Sequence, residues 1–296
     1  MRYAYGMLRQ VIRLARPSQW TKNGLLFGAI VFAGEVRDPA KLETVVAAAA
    51  LFCLLSSAVY TINDIVDREK DRQHPVKKNR PLAAGTIGVG TAGAFAALLI
   101  ICGLAGAWLI NLNFLLIGVG FLLLNLTYSF FLKKVIIVDV LTIAISFVVR
   151  AFAGALAIDV PASGWMLMNT LLLALFLSFG KRRHEMVLLE SAAGNHRTSL
   201  DGYTPYLLDQ MIGVTTASVL VVYMLYTFSG EVSEKLGTDY LYVTIPFVVY
   251  GIFRYLYLIH RKDEGGSPTH VLISDRPILI TVVLWLITAL LLIYPI

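Results

Sequence analysis

NDIVDREKDRQHPVKKNRPLAAG, residues 63 to 85, is the stretch on which the reading of this chain turns. It spaces Asp64, Asp67 and Asp71 at offsets of 0, 3 and 7, which on a helix of 3.6 residues per turn lie within about 60° of one another. Three like charges on one face repel, so the arrangement predicts a cation that offsets them. Carboxylates together with the amide oxygen of Asn63 suit Mg²⁺, which is commonly held by one or two carboxylates and the phosphates of a substrate. His74, Lys77, Lys78 and Arg80 follow at once and supply the positive charge that a polyphosphate needs. The segment therefore predicts Mg²⁺ at Asp64, Asp67 and Asp71 facing a diphosphate, with Asn63, Arg68, Lys77 and Arg80 around it. The competing reading is a solvated loop whose charges only mark topology.

What surrounds the stretch is apolar. Of 296 residues, 57% are hydrophobic and 15% charged, with mean hydropathy +0.73; a soluble domain carries about 25% charged residues. Runs of about 20 apolar residues, each enough to cross a hydrocarbon core of about 30 Å, recur along the whole chain. Nine spans are predicted, at residues 20–34, 43–62, 86–110, 112–132, 136–158, 164–180, 206–228, 240–260 and 277–295, in one all-α integral membrane domain over residues 1–296. Before them, Met7, Leu8, Val11, Ile12, Leu14 and Ala15 recur at helical spacing ahead of Pro17, as in a short interfacial helix or an ordinary solvated cap. This amino-terminal segment lacks the compact apolar core and small-residue site of a cleavable signal.

Nine spans sort the loops into two sets. Of the 25 Lys and Arg residues, 20 fall in one set, counting Lys22 at the start of the first span with the segment before it, Arg37, Lys41 and Lys235 fall in the other, and Arg150 and Arg254 lie inside spans. The positive-inside rule makes the rich set, which contains residues 63 to 85, cytoplasmic. Sidedness thus accounts for the net charge of +6, and no nucleic-acid partner is implied. Cys53 and Cys102 lie inside apolar runs without metal-type spacing, so neither a disulfide framework nor a Cys-ligated metal is expected.

Charged groups within a span usually face the protein interior. Asp139 is expected at the cytoplasmic edge of span five beside the substrate. Arg150, eleven residues on and about 16 Å deeper, is expected to brace the interior or pair with a polar group of another helix. Lys22 and Asn23 at the start of span one, and Tyr128, Lys133 and Lys134 at the end of span four, sit at the same edge and are expected to converge on phosphate. Arg254 and Trp285 read as packing or interfacial residues. GGSP at residues 265 to 268 reads as a turn, not a nucleotide loop.

Nine spans, NDxxDxxxD after the second and RPLxxG at residues 80 to 85 resemble the UbiA superfamily of intramembrane prenyltransferases. That resemblance implies a helical bundle with a cavity open to lipid, a cytoplasmic cap of loops, and Mg²⁺-bound diphosphate at the aspartates. Most members carry a second motif, DxxxD, after span six. Here the chain reads Gly180, Lys181, Arg182, Arg183, His184, Glu185, and exchanging carboxylates for ammonium and guanidinium groups turns a cation site into an anion site.

ARPSQWTKN at 15 to 23, YSFFLKK at 128 to 134, the stretch from Asp139 through Arg150 to Gly154, and GKRRHE together resemble the decaprenyl-phosphate phosphoribosyltransferase branch. The branch implies transfer of a 5-phosphoribosyl group from phosphoribosyl diphosphate to a polyprenyl phosphate, for synthesis of a cell-envelope arabinose donor in a bacterial inner membrane. On that reading Lys181 and Arg182 join the three aspartates as catalytic residues, and Glu185 orients the two cations. The acceptor phosphate is already ionised near neutral pH, so no general base is needed. The alternatives are an aromatic prenyltransferase using a polyprenyl diphosphate, and a transporter, which would place its polar residues nearer the bilayer midplane. The sequence leaves polyprenyl length and homo-oligomer formation open.

Overall fold

A computed structural model describes residues 2–74, 76–191, 202–261, 271 and 274–294. Among the described residues every regular element is helical. The helices are α1 (Arg2–Ala15), α2 (Leu26–Phe32), α3 (Pro39–Val66), α4 (Arg68–Gln73), α5 (Val89–Ile110), α6 (Leu112–Phe130), α7 (Val138–Ala157), α8 (Gly164–Ser191), α9 (Pro205–Thr227), α10 (Gly230–Leu236), α11 (Ile245–Arg261) and α12 (Arg276–Ile293). Within them, eight segments are long and apolar enough to cross a membrane: α3, α5 to α9, α12, and α11 with the 3₁₀ turn before it. These match eight of the expected spans to within a few residues at most ends; α8 runs on well past residue 180. The GGSP turn lies outside the described residues.

The ninth expected span, residues 20–34, is not one long helix. It divides into a 3₁₀ segment, Pro17–Leu25, and the seven-residue α2. The reason is local. PSQWTKNGL is short of good helix formers, and its polar side chains bond to neighbouring helices instead of lying along one of their own. Trp20 Nε1 donates to Ser57 Oγ at 3.0 Å, and Asn23 Oδ1 accepts from Ser56 Oγ at 3.2 Å and from Arg150 Nε at 3.0 Å.

Two apolar clusters form the core. One joins α2, α3, α5, α6 and α7 around Phe52, Phe114 and Phe121; the other joins α7, α8, α9, α11 and α12 around Phe176, Tyr255 and Ile259. Small residues let the helices approach closely. A Cβ on Gly154 of α7 would stand 2.1 Å from the Leu26 carbonyl oxygen, so only glycine admits the α2 to α7 crossing. Outward faces carry Leu98, Ile101, Leu109, Leu123, Val214 and Ile280, all exposed, as lipid-facing helices require. Arg254 pairs with the α12 cap Asp275 at 2.9 Å, and Trp285 Nε1 donates to Tyr223 Oη at 2.7 Å, so both bind neighbouring helices.

Helix α1 is docked at its C-terminal end. Its Leu14 is buried against Leu82, Ile87 and Ala92, so α1 lies over the loop that follows α4.

Candidate active site

Helix α3 stops at Val66, and Asp67 occupies its C-terminal cap with φ −92° and ψ 5° before α4 begins at Arg68. The single helical face expected for the three aspartates is therefore broken between the first and the last. Asp64 and Asp71, both buried, converge on one guanidinium: Arg80 Nη1 lies 3.0 Å from Asp64 Oδ1 and 2.5 Å from Asp71 Oδ2. Arg16 also pairs with Asp64. Asp67 turns to the other side and takes Lys133 Nζ at 2.6 Å. Among the described residues no three Asp, Glu, His or Cys groups close on a common metal position.

The donor set nonetheless fits a hard cation. Asp64 and Asp71 are held a single cation apart, and Asn63 Oδ1 is buried with no hydrogen-bond partner among the described residues. An orphaned amide oxygen on the residue before Asp64 is the kind of group Mg²⁺ takes. Asn63, Asp64 and Asp71 would hold the ion, with Asp67 at its margin.

The second cluster faces the first. Asp139, fully buried at the start of α7, accepts from Arg182 Nε at 2.9 Å and from Tyr203 Oη at 3.1 Å. Arg182 reaches on to Glu185 Oε2 at 2.5 Å and is only 1% exposed. Lys181 stands 3.8 Å from Glu185 and is about half exposed. Tyr203 lies outside the spans, and burial pushes its phenol up to about 12. The basic stretch from Lys181 to Glu185, expected in a loop, lies within α8, and the charges of Asp71 and Glu185 both act on His74, so the end of α4 and this stretch of α8 look at each other. Burial and the ammonium of Lys77 hold the His74 imidazole below its ordinary value. This fits its Nδ1 accepting from the backbone N–H groups of Val76 at 3.2 Å and Lys77 at 3.3 Å.

Most residues expected at the site are therefore gathered at one end of the bundle, in partnerships the sequence did not specify. Arg182, expected to clamp phosphate, has its guanidinium occupied by two carboxylates because Asp139 lies directly across from it. Lys134 points away from both clusters and is exposed. Arg68 and Lys77 are half-buried, Lys77 near His74, and Tyr128 lies close to Arg182. Arg16 and Tyr203 were missed. Arg16 had a signal, since the residue before a proline leaves the helix: it adopts φ 51°, ψ 62° at the end of α1, and that bend brings its side chain to Asp64. Tyr203 had none, because its contact spans 64 positions.

The sequence pattern of the UbiA prenyltransferase family matches residues 24–274. A protein from Mycolicibacterium smegmatis, named decaprenyl-phosphate phosphoribosyltransferase, is 33% identical over 289 residues, covering 93% of this chain and 90% of its own length. A protein of that name from Mycobacterium tuberculosis is 34% identical over 284 residues, covering 94% and 92%. The solved structure of a UbiA homologue from Archaeoglobus fulgidus bound to GPP and Mg²⁺ superposes with a TM-score of 0.72 at 21% identity, over 96% of this chain and 99% of that one. That likeness establishes the fold.

Proposed function

The chain belongs to the UbiA prenyltransferase family, and from that membership we propose that it transfers a 5-phosphoribosyl group from phosphoribosyl diphosphate to a polyprenyl phosphate at the cytoplasmic face of a bacterial inner membrane. One observation carries this choice within the family. The basic stretch of α8 from Gly180 to Glu185 has Glu185 as its single acid, and Arg182 engages both Glu185 and Asp139 of α7. Where a diphosphate-bearing prenyl donor would call for a second carboxylate pair, this stretch presents cations instead.

In the proposed reaction a phosphate oxygen of the acceptor forms a bond to the anomeric carbon as that carbon loses its bond to the diphosphate. The acceptor oxygen is already ionised, so no proton has to be removed. Asn63, Asp64 and Asp71 would hold Mg²⁺, which when bound neutralises charge growing on the departing diphosphate. Arg80 and Arg16 add positive charge at the same end, and Lys133 keeps Asp67 turned toward it. Lys181 is the cation of α8 best placed to meet phosphate from the opposite side, with Arg182 as its support.

The 3₁₀ segment and α2 together extend about 28 Å at ordinary rises per residue. This supports a ninth, broken crossing and one nine-span unit with termini on opposite sides.

The test is purified protein supplied with radiolabelled phosphoribosyl diphosphate and polyprenyl phosphate. Label should enter the lipid only with Mg²⁺, and EDTA should abolish the transfer. If label never enters the lipid, and an aromatic acceptor is instead prenylated from a polyprenyl diphosphate, the proposal is wrong.

A further inference from the structure

Below the aspartates, cations and ring faces alternate in a column leading into the bundle. Arg16 lies 5.6 Å from the Tyr60 ring centre; Lys22 Nζ lies 5.8 Å from that ring and 5.9 Å from Phe147. Arg150 then lies 5.5 Å from Phe147 and 4.7 Å from Phe121. Arg16 has Asp64 as its counter-ion. Lys22 and Arg150 have no carboxylate within 4.0 Å among the described residues. Arg150 is 4% exposed, and its bonds go to neutral acceptors, Asn23 Oδ1 at 3.0 Å, Ser146 O at 2.7 Å and Ser146 Oγ at 2.9 Å. Lys22 has ring faces alone.

A buried arginine and a half-buried lysine without an anion are costly, and ring faces recover only part of that cost. Groups of this kind inside a span serve a ligand by default. Hydrogen bonds from Arg150 and Ser56 fix Asn23, the residue after Lys22, so the ammonium is held on a rigid support. Tyr60 is one helical turn, about 6 Å, before Asp64, and its ring meets both Arg16, which pairs with Asp64, and Lys22. A group bound there is within reach of the reacting centre and separate from the diphosphate.

We propose that Lys22 and Arg150, joined through Asn23, form a second anion subsite that takes a phosphate monoester. With two positive charges and no acid to hold a metal, it matches the charge of a monoester, about −1.5 to −2 near neutral pH. Resting on the phosphoribosyl-transfer reading, two groups have this chemistry: the headgroup of the polyprenyl phosphate and the 5-phosphate of the donor ribose.

The experiment measures binding to the intact purified protein by calorimetry, with farnesyl phosphate, ribose 5-phosphate and Mg²⁺-pyrophosphate as separate probes. Lys22→Met keeps the apolar stem, removes the charge and breaks no hydrogen bond, so it should melt like wild type. It should bind one monoester probe at least tenfold more weakly, with pyrophosphate binding unchanged. Loss toward farnesyl phosphate assigns the subsite to the acceptor, and loss toward ribose 5-phosphate assigns it to the donor. Lys41→Met, in an ion pair with Glu35 at the far end, should behave as wild type throughout. If Lys22→Met and Arg150→Lys both bind both monoesters as wild type does, the subsite is refuted. A wild type that binds a monoester through Lys22 yet transfers no phosphoribosyl group refutes the proposed reaction and leaves the subsite standing.

Discussion

Arg182 carries a full charge at 1% exposure, between a buried Asp139 and a quarter-exposed Glu185. Desolvating that charge is tolerable only because two carboxylates and good geometry meet it. Its neighbour Lys181 has a 45% exposed side chain, and its 3.8 Å pair with Glu185 is worth little in solvent. The two adjacent cations should therefore separate experimentally. Arg182→Lys loses the forked geometry that serves two acids at once, and should lower the folding stability of the purified protein by about 1–3 kcal/mol. Lys181→Ala should change stability by less than about 0.5 kcal/mol and raise the KM of one phosphorylated substrate about tenfold. Thermal melts beside steady-state kinetics decide it. If Arg182→Lys left the melt unchanged, or Lys181→Ala collapsed it, the division between support and contact would be wrong.

At the scale of elements, apolar runs of span length made the eight long helices legible, because a lipid-crossing helix has to announce itself in composition. The broken first span was not legible, since its backbone is shaped by Asn23, Ser56, Ser57 and Arg150, residues up to 127 positions apart. Helical offsets brought out the aspartates, but the turn at Asp67 answers to Lys133, 66 positions away. The entry to α7 has the same character. Ile137 sits at φ 66° and ψ −45°, and Val138 N–H donates to Ile136 O at 2.7 Å, a tight three-residue turn that is strained for a branched side chain. Tyr203 holds it, accepting from Ile137 N–H at 2.8 Å while donating to Asp139. Gly202 permits the approach, since a Cβ there would stand 1.9 Å from Ile136 Cδ1. Tyr203→Phe removes both bonds and should destabilise the protein by about 1–3 kcal/mol. Adding Ile137→Gly, which frees the turn of its strain, should restore part of the loss. A double variant melting below Tyr203→Phe alone would show that the strain at Ile137 is not what Tyr203 restrains.

For the whole molecule, the arrangement of charge predicts which side the aspartates face. Arg16, Arg80, Lys133, Arg182 and Arg183 are all paired with acids at the end of the bundle that holds the aspartates. The opposite end has Lys41 on Glu35, Arg37 over Tyr294, and Lys235 at the close of α10. Insertion retains basic loops on the cytoplasmic side, which is also where a soluble sugar diphosphate would be available. The two ends therefore predict opposite chemical access in intact cells. Lys134, in the turn between α6 and α7, and Glu234, on α10, are both exposed and suit single cysteines in a background where Cys53 and Cys102 are replaced. A membrane-impermeant maleimide should label Glu234→Cys in intact cells and should reach Lys134→Cys only after permeabilisation. The reverse pattern would turn the protein over and place the aspartates on the side away from the donor. Labelling of both positions in intact cells would break the antiparallel order of α6 to α10 on which the nine-crossing topology rests.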